Sequence, residues 1–140
     1  MHVSTDASKL DLNVIHGFLT CCYWSEGISR ETVSRAIANS LCFGVYEPGA
    51  DRDRQVGFAR VVTDRTSFAY LCDVFVLEEF RGRGLGRMLM AAVLAHPDLQ
   101  GLRRWTLATR DAHDLYRKFG FTPLAKPDRF MELHRPDVYR

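Results

Sequence analysis

The stretch Asp73–Arg87, DVFVLEEFRGRGLGR, constrains this chain more than any other. It begins inside a β-branched and aromatic run, Tyr70–Leu77, that reads as a buried strand. Its middle, Arg81–Gly86, is a glycine-rich turn. Its end opens a helix, because Leu85, Met88, Leu89, Ala92 and Val93 recur on one face of a 3.6-residue period. A strand feeding a glycine loop feeding a helix start makes an anion site. Glycine lets the backbone approach a ligand closely, the first-turn N–H groups have no intrahelical partner, and the helix dipole favours negative charge. Spacing narrows the anion. No Gly-Lys-[Ser/Thr] closes the loop, so it is not a P-loop, and Gly82, Gly84 and Gly86 do not fit G-x-G-x-x-G. Arg81, Arg83 and Arg87 give a local basic patch suited to a small phosphorylated ligand.

The remaining elements follow from periodicity and punctuation. A short edge strand is expected around His2–Thr5. Asp11 caps a helix to about Thr20, with Leu12, Ile15, Phe18 and Leu19 on one face, and Ser29 caps a second to about Asn39. Between them, Cys21–Gly27 is a break carrying Tyr23 and Trp24, which either pack over the core or line a substrate pocket. Leu41–Tyr46, Val56–Thr63 and the Tyr70–Leu77 strand form an antiparallel meander joined by short turns. His96-Pro97-Asp98 stops the long helix. Arg104–Thr109 is a strand parallel to the third through a right-handed crossover. Asp111 caps a fourth helix with an apolar face of Ala112, Leu115, Tyr116 and Phe119, ended by Gly120. Phe121–Leu124 and Phe130–Leu133 read as a closing hairpin.

At 140 residues the chain is one domain, 1–140, large enough for a core without staples. A net charge of +2 gives no global argument for a nucleic-acid partner, and no apolar run is long enough for a membrane span. The four cysteines form no Cys-x-x-Cys pair, and Cys42 and Cys72 fall in apolar strand patterns, as reduced thiols of a cytoplasmic protein do. The five histidines have no metal-ligand spacing, so no metal is expected.

Arg81-x-x-Gly84-x-Gly86, preceded by Val74-Phe75-Val76, resembles the acetyl-CoA motif of the GCN5-related N-acetyltransferase (GNAT) superfamily, and Tyr116 to Phe121 resembles that family's Tyr-x-x-x-Gly-Phe segment. The order of elements is similar over nearly the whole chain. The resemblance implies an α/β (α+β) GNAT fold: a mixed central sheet of six to seven strands with four helices, the third and following strands splayed. It implies acetyl-CoA as co-substrate. Backbone groups of Val74, Phe75 and Val76 would hold the pantetheine arm, and Arg81, Gly82, Arg83, Gly84, Leu85, Gly86 and Arg87 the pyrophosphate. Thr109, Asp111 and Ala112 would lie beside the lower arm. Tyr116 would be the general acid, and the Val76 N–H the oxyanion contact.

The chemistry agrees. A phenol of ordinary pKa about 10 carries its proton at neutral pH and can donate to a departing thiolate of pKa about 8.5. The expected acceptor is a small-molecule or peptide amine. Tyr23, Trp24 and Cys72 are its candidate contacts. Many relatives carry asparagine where Thr109 stands, and some carry glutamate where Cys72 stands; Cys72 cannot recruit a cation, which weakens a polyamine reading. Strand alternation sends Asp73 to the face opposite Cys72, leaving it a weak base candidate. The resulting expectation is an N-acetyltransferase working by direct attack in a ternary complex. The alternative is a non-catalytic acyl-CoA-binding module on the same fold. Family habit and strand edges near the C-terminus allow a homodimer.

Overall fold

A computed structural model describes residues 1–140. Five strands form one sheet in the order β1-β2-β3-β4-β5: β1 His2–Ser4, β2 Leu41–Glu47, β3 Arg54–Thr63, β4 Phe68–Val76 and β5 Arg104–Leu107. Each of the first four is antiparallel to its neighbour, and β5 runs parallel to β4. The helices are α1 Leu12–Leu19, α2 Arg30–Ala38, α3 Leu85–Ala95 and α4 His113–Arg117.

Asp11 and Ser29 cap α1 and α2 as expected, Asp11 accepting from the N–H groups of Asn13 and Val14 and Ser29 from that of Thr32. The Asp11 N–H in turn donates to Oε1 of Gln55 at 2.7 Å, and buried Gln55 donates onward to the Gly57 carbonyl. The cap of α1 is thereby tied to β3. One sheet face packs Ile15, Leu19 and Val33 of the first two helices against Phe58 and Phe75. The other packs Leu85, Leu89, Met90 and Val93 of α3, with Tyr116, against Phe43, Val45, Val61 and Leu71.

The closing hairpin is absent, so the sheet has five strands and not six to seven. Phe121–Leu124 and Phe130–Leu133 form no ladder. Pro123 removes a donor from the arm that would pair with β5, and without that arm the outer one has no neighbour. Met131 and Leu133 stay exposed and the outer edge of β5 is open.

Gly44 and Tyr46 are a matched pair on β2. The Tyr46 ring lies back over Gly44, where any Cβ would overlap its hydroxyl. Tyr46 is 1% exposed and its hydroxyl has no hydrogen-bond partner. A buried, unpartnered hydroxyl costs about 1–3 kcal/mol. Tyr46→Phe should therefore raise stability by about 1 kcal/mol, read as a higher urea midpoint at unchanged slope. A lower midpoint would mean that the hydroxyl is satisfied.

Candidate active site

The site begins where β4 and β5 part. Their pairing ends at Leu71↔Leu107, while β4 continues to Val76. The Leu77 N–H donates to the Val56 carbonyl at 2.9 Å. By strand alternation the backbone groups of Phe75 also face β3, and those of Val74 and Val76 face the gap. The Val76 carbonyl accepts from Arg81 Nε at 3.0 Å, leaving its N–H toward the gap. The Phe75 side chain is core, stacked on Phe18 at 4.1 Å.

β4 also carries a bulge. Phe58 pairs with Phe75 but Arg60 pairs with Cys72, so Asp73 and Val74 together oppose one residue of β3, and Asp73 takes φ +53°. The bulge corrects the alternation argument. Asp73 is not sent to the opposite face from Cys72; both line one cavity of about 430 Å³ at the splay. Asp73 does not stand free there. Its Oδ2 accepts from Arg60 Nε at 2.8 Å and its Oδ1 from the Trp24 indole N–H at 2.9 Å.

The glycine loop has the geometry of an anion cradle. Gly82 and Gly84 both have φ +77°, and Gly84 is the N-cap of α3. No side chain caps that helix and no acidic residue sits in its first turn, so its leading N–H groups are unclaimed by side chains. A Cβ on Gly82 or Gly84 would meet no atom within 4 Å, so these glycines serve backbone conformation and leave space above the loop. Arg81, Arg83 and Arg87 are exposed, Arg83 resting on the Phe80 ring at 5.1 Å, whereas Leu85 is core.

Beyond β5, the Thr109 hydroxyl accepts from the Ala112 N–H at 3.0 Å. Ala112, not Asp111, is the N-cap of α4. Asp111 instead lies exposed beside Arg110, 3.8 Å away. The helix is one turn and a half, ended by Gly120 at φ +93°. It turns Tyr116 inward, 8% exposed, onto the wall of the same cavity. Burial first, then Tyr23 and Asp111, pushes the Tyr116 phenol up to about 12.

The opposite wall comes from the break after α1. Gly27, at φ +84°, donates its N–H to the Thr20 carbonyl, and the buried Ser25 hydroxyl donates to that of Leu19. The loop is closed on itself and leaves Tyr23 and Trp24 outward, 47% and 41% exposed, both on the cavity. Burial, the largest cause, pushes the Cys72 thiol up to about 12, so it is neutral and no nucleophile. No group of three His, Cys, Asp or Glu side chains is arranged to hold a metal, and no helix is long and apolar enough to cross a membrane.

Most of the expected residues thus converge: Tyr23, Trp24, Cys72, Val74, Thr109, Asp111, Ala112 and Tyr116 share one cavity. The glycine loop stands apart at the start of α3, and Val76 lies beyond the cavity wall. Two site residues, Arg60 and Arg110, do not stand out by motif. Arg60 has one signal in the sequence, a lone charge within an apolar strand. The bulge that makes sense of it has none.

A family model described as an acetyltransferase (GNAT) domain matches residues 38–123. The chain belongs to the GNAT acetyltransferase family. A Xanthomonas campestris GNAT-family crystal structure is 55% identical, covers 99% of this chain and 95% of its own, and superposes with a TM-score of 0.93. A Gibberella zeae protein named as an acetyltransferase is 32% identical over 83% of this chain and 75% of its own. The fold recurs at 18% identity in a Mycobacterium tuberculosis structure in complex with CoA, which covers 89% of this chain and 73% of its own with a TM-score of 0.65. As a GNAT member, the chain has the family's mixed sheet and four helices in their order.

Proposed function

We propose that this GNAT protein is an acetyl-CoA-dependent N-acetyltransferase that transfers the acetyl group directly to an amine within a ternary complex. The observation that carries the reading is the convergence of Tyr116, the splayed end of β4 and an open acceptor wall on one cavity. An uncapped, glycine-led start of α3 supports a pyrophosphate site. The distant GNAT-fold structures with CoA and with acetyl-CoA are consistent with that donor.

Acetyl-CoA supplies an activated thioester. The chain's residues do the rest. The gap-facing N–H groups of Val74 and Val76 would offer donors to the pantetheine arm, and of the two only Val74 shares the cavity with Tyr116. With acetyl-CoA bound, the Tyr116 hydroxyl on the cavity wall would donate to the leaving sulfur. With its pKa near 12, full proton transfer to a thiolate of ordinary pKa about 8.5 runs uphill. Tyr116 therefore acts chiefly as a hydrogen-bond donor to the developing charge. The neutral Cys72 thiol supports direct transfer over an acyl-cysteine route. With both Asp73 oxygens engaged, the amine proton leaves through water.

The test is release of free CoA thiol from acetyl-CoA against an amine panel. Acceptor-dependent release is expected; CoA binding with no amine ever acetylated would reduce the protein to an acyl-CoA-binding module. Gly84→Ala tests the cradle separately. A Cβ at φ +77° costs about 1–2 kcal/mol; the empty loop sheds that strain by relaxing and CoA must restore it, so the CoA dissociation constant should rise about tenfold by calorimetry. An unchanged constant would remove the loop from the site.

A further inference from the structure

The wall that meets the acceptor carries more information than the reaction class, and its assignment to an acceptor rests on the acetyltransferase reading. Trp24 and Tyr23 meet edge to face, with ring centroids 5.1 Å apart at 83°. Trp24 is backed by Phe18 at 6.2 Å, and Phe18 by Phe75 at 4.1 Å, so the indole is braced against the core on one side and open to the cavity on the other. Core packing does not account for two neighbouring rings left over 40% exposed on a self-closed loop.

We propose that these rings form an acceptor subsite for a monoamine with a flat apolar body, and that Asp73, held by Arg60, is the positioning residue that sets the Trp24 wall. The indole N–H donates to Asp73 Oδ1 at 2.9 Å. Asp73 Oδ2 accepts from Arg60 Nε at 2.8 Å, and Arg60 reaches on to the Ser40 hydroxyl at 3.1 Å. The carboxylate is 13% exposed, and the left-handed bulge at φ +53° aims it at the indole. Its charge is spent within the protein. The other carboxylate on the wall, Asp111, lies beside Arg110. The Arg110 guanidinium already sits over the Tyr23 face at 3.8 Å. A second cation would meet that guanidinium and find only Asp111, whose charge Arg110 already offsets at 3.8 Å, so a polyamine or a lysine-rich peptide fits less well. A single amine on an aromatic body fits, because the ring faces give it area at little ordering cost.

Three probes separate the classes: phenylethylamine, spermidine and a short lysine-rich peptide. Binding is read without turnover from Trp24 emission in Trp105→Phe, since the chain has two tryptophans. Phenylethylamine should shift that emission saturably and bind at least about tenfold tighter than spermidine. Tighter spermidine or peptide binding, or no saturable response to phenylethylamine, would overturn the acceptor class. If acetylation fails with every amine while this shift remains, it is the acetyltransferase reading that has failed and not the subsite. Should Trp105→Phe not fold, calorimetric titration of the protein with both tryptophans gives the same ranking of the three probes.

The positioning role is read separately. Asp73→Ala, which removes the acceptor of the indole N–H, and Trp24→Phe, which removes the donor, should each raise phenylethylamine KM about fivefold with kcat lowered less than threefold. The double variant should be no worse than either single one, because both remove the same contact. Asp73→Ala should also leave the pH profile of kcat in place. Additive losses, or a hundredfold fall in kcat with loss of the profile's acid limb, would make Asp73 an independent group or the base and would overturn its positioning role.

Discussion

Tyr116→Phe should lower kcat for acetyl transfer about a hundredfold while moving the CoA dissociation constant by less than twofold. The substitution keeps the ring, so its edge contact with Phe121 at 5.9 Å and its place in the α3 core survive. It removes only the hydroxyl, the one donor on α4 that faces the cavity. A donor aimed at charge that develops in the transition state is worth about 2.7–4 kcal/mol. The hundredfold expectation sits at the low end because the leaving thiolate is a stable anion. The pH profile adds a second arm. Burial holds the Tyr116 proton until about pH 12. An ordinary phenol would lose it near 10. Turnover should therefore show no alkaline fall between pH 8 and 10. A fall there that Tyr116→Phe abolishes would mean that Tyr116 titrates early and acts as a full acid. Unchanged turnover in Tyr116→Phe at neutral pH would remove it from the reaction.

The glycine loop was legible in the sequence because its geometry is local, whereas Tyr116 stood out only through its resemblance to a family segment. The αL glycines and the uncapped helix depend on short spacings that the chain states outright. The acceptor wall was only half legible. Tyr23 and Trp24 stood out as aromatics in a break, yet nothing nearby said which way they faced. Their partner Asp73 is 49 residues from Trp24, and its direction turns on one extra residue in β4. Period-2 reasoning fails wherever a bulge intervenes, since one inserted residue reverses the face of the next. The missing hairpin failed differently. Phe121–Leu124 has strand composition, but Pro123 withholds a donor where a ladder would need one, and composition counts apolar residues without counting donors. The Asp111 cap failed because α4 starts one residue later, at His113, with Ala112 as a cap that has no side-chain acceptor.

Arg60→Met should cost about 3 kcal/mol of stability, a fall in Tm on the order of 10 °C for a chain of this size. The pair it breaks is largely enclosed, with 20% of the Arg60 side chain and 13% of Asp73 exposed. Arg60 sits in register between Cys42 on β2 and Cys72 on β4, two thiols kept neutral by burial. Neither can replace the guanidinium as a countercharge. Removing it strands a carboxylate that the bulge holds in place, and the cost is that of an unpaired buried charge more than of a lost attraction. Met retains most of the arginine stem's volume, so the packing loss is small. The double variant Arg60→Met/Asp73→Asn should regain at least half of the deficit, because the stranded charge is gone. Chemical denaturation of the four proteins in the cycle measures this directly. A single-variant loss below about 1 kcal/mol, or a double variant as unstable as the sum of its parts, would mean that the pair is solvated and does not hold the bulge. In that event Trp24 would have no fixed anchor and the acceptor wall would be soft. The destabilisation of Arg60→Met is thus also a measure of how rigidly the protein presents its substrate face.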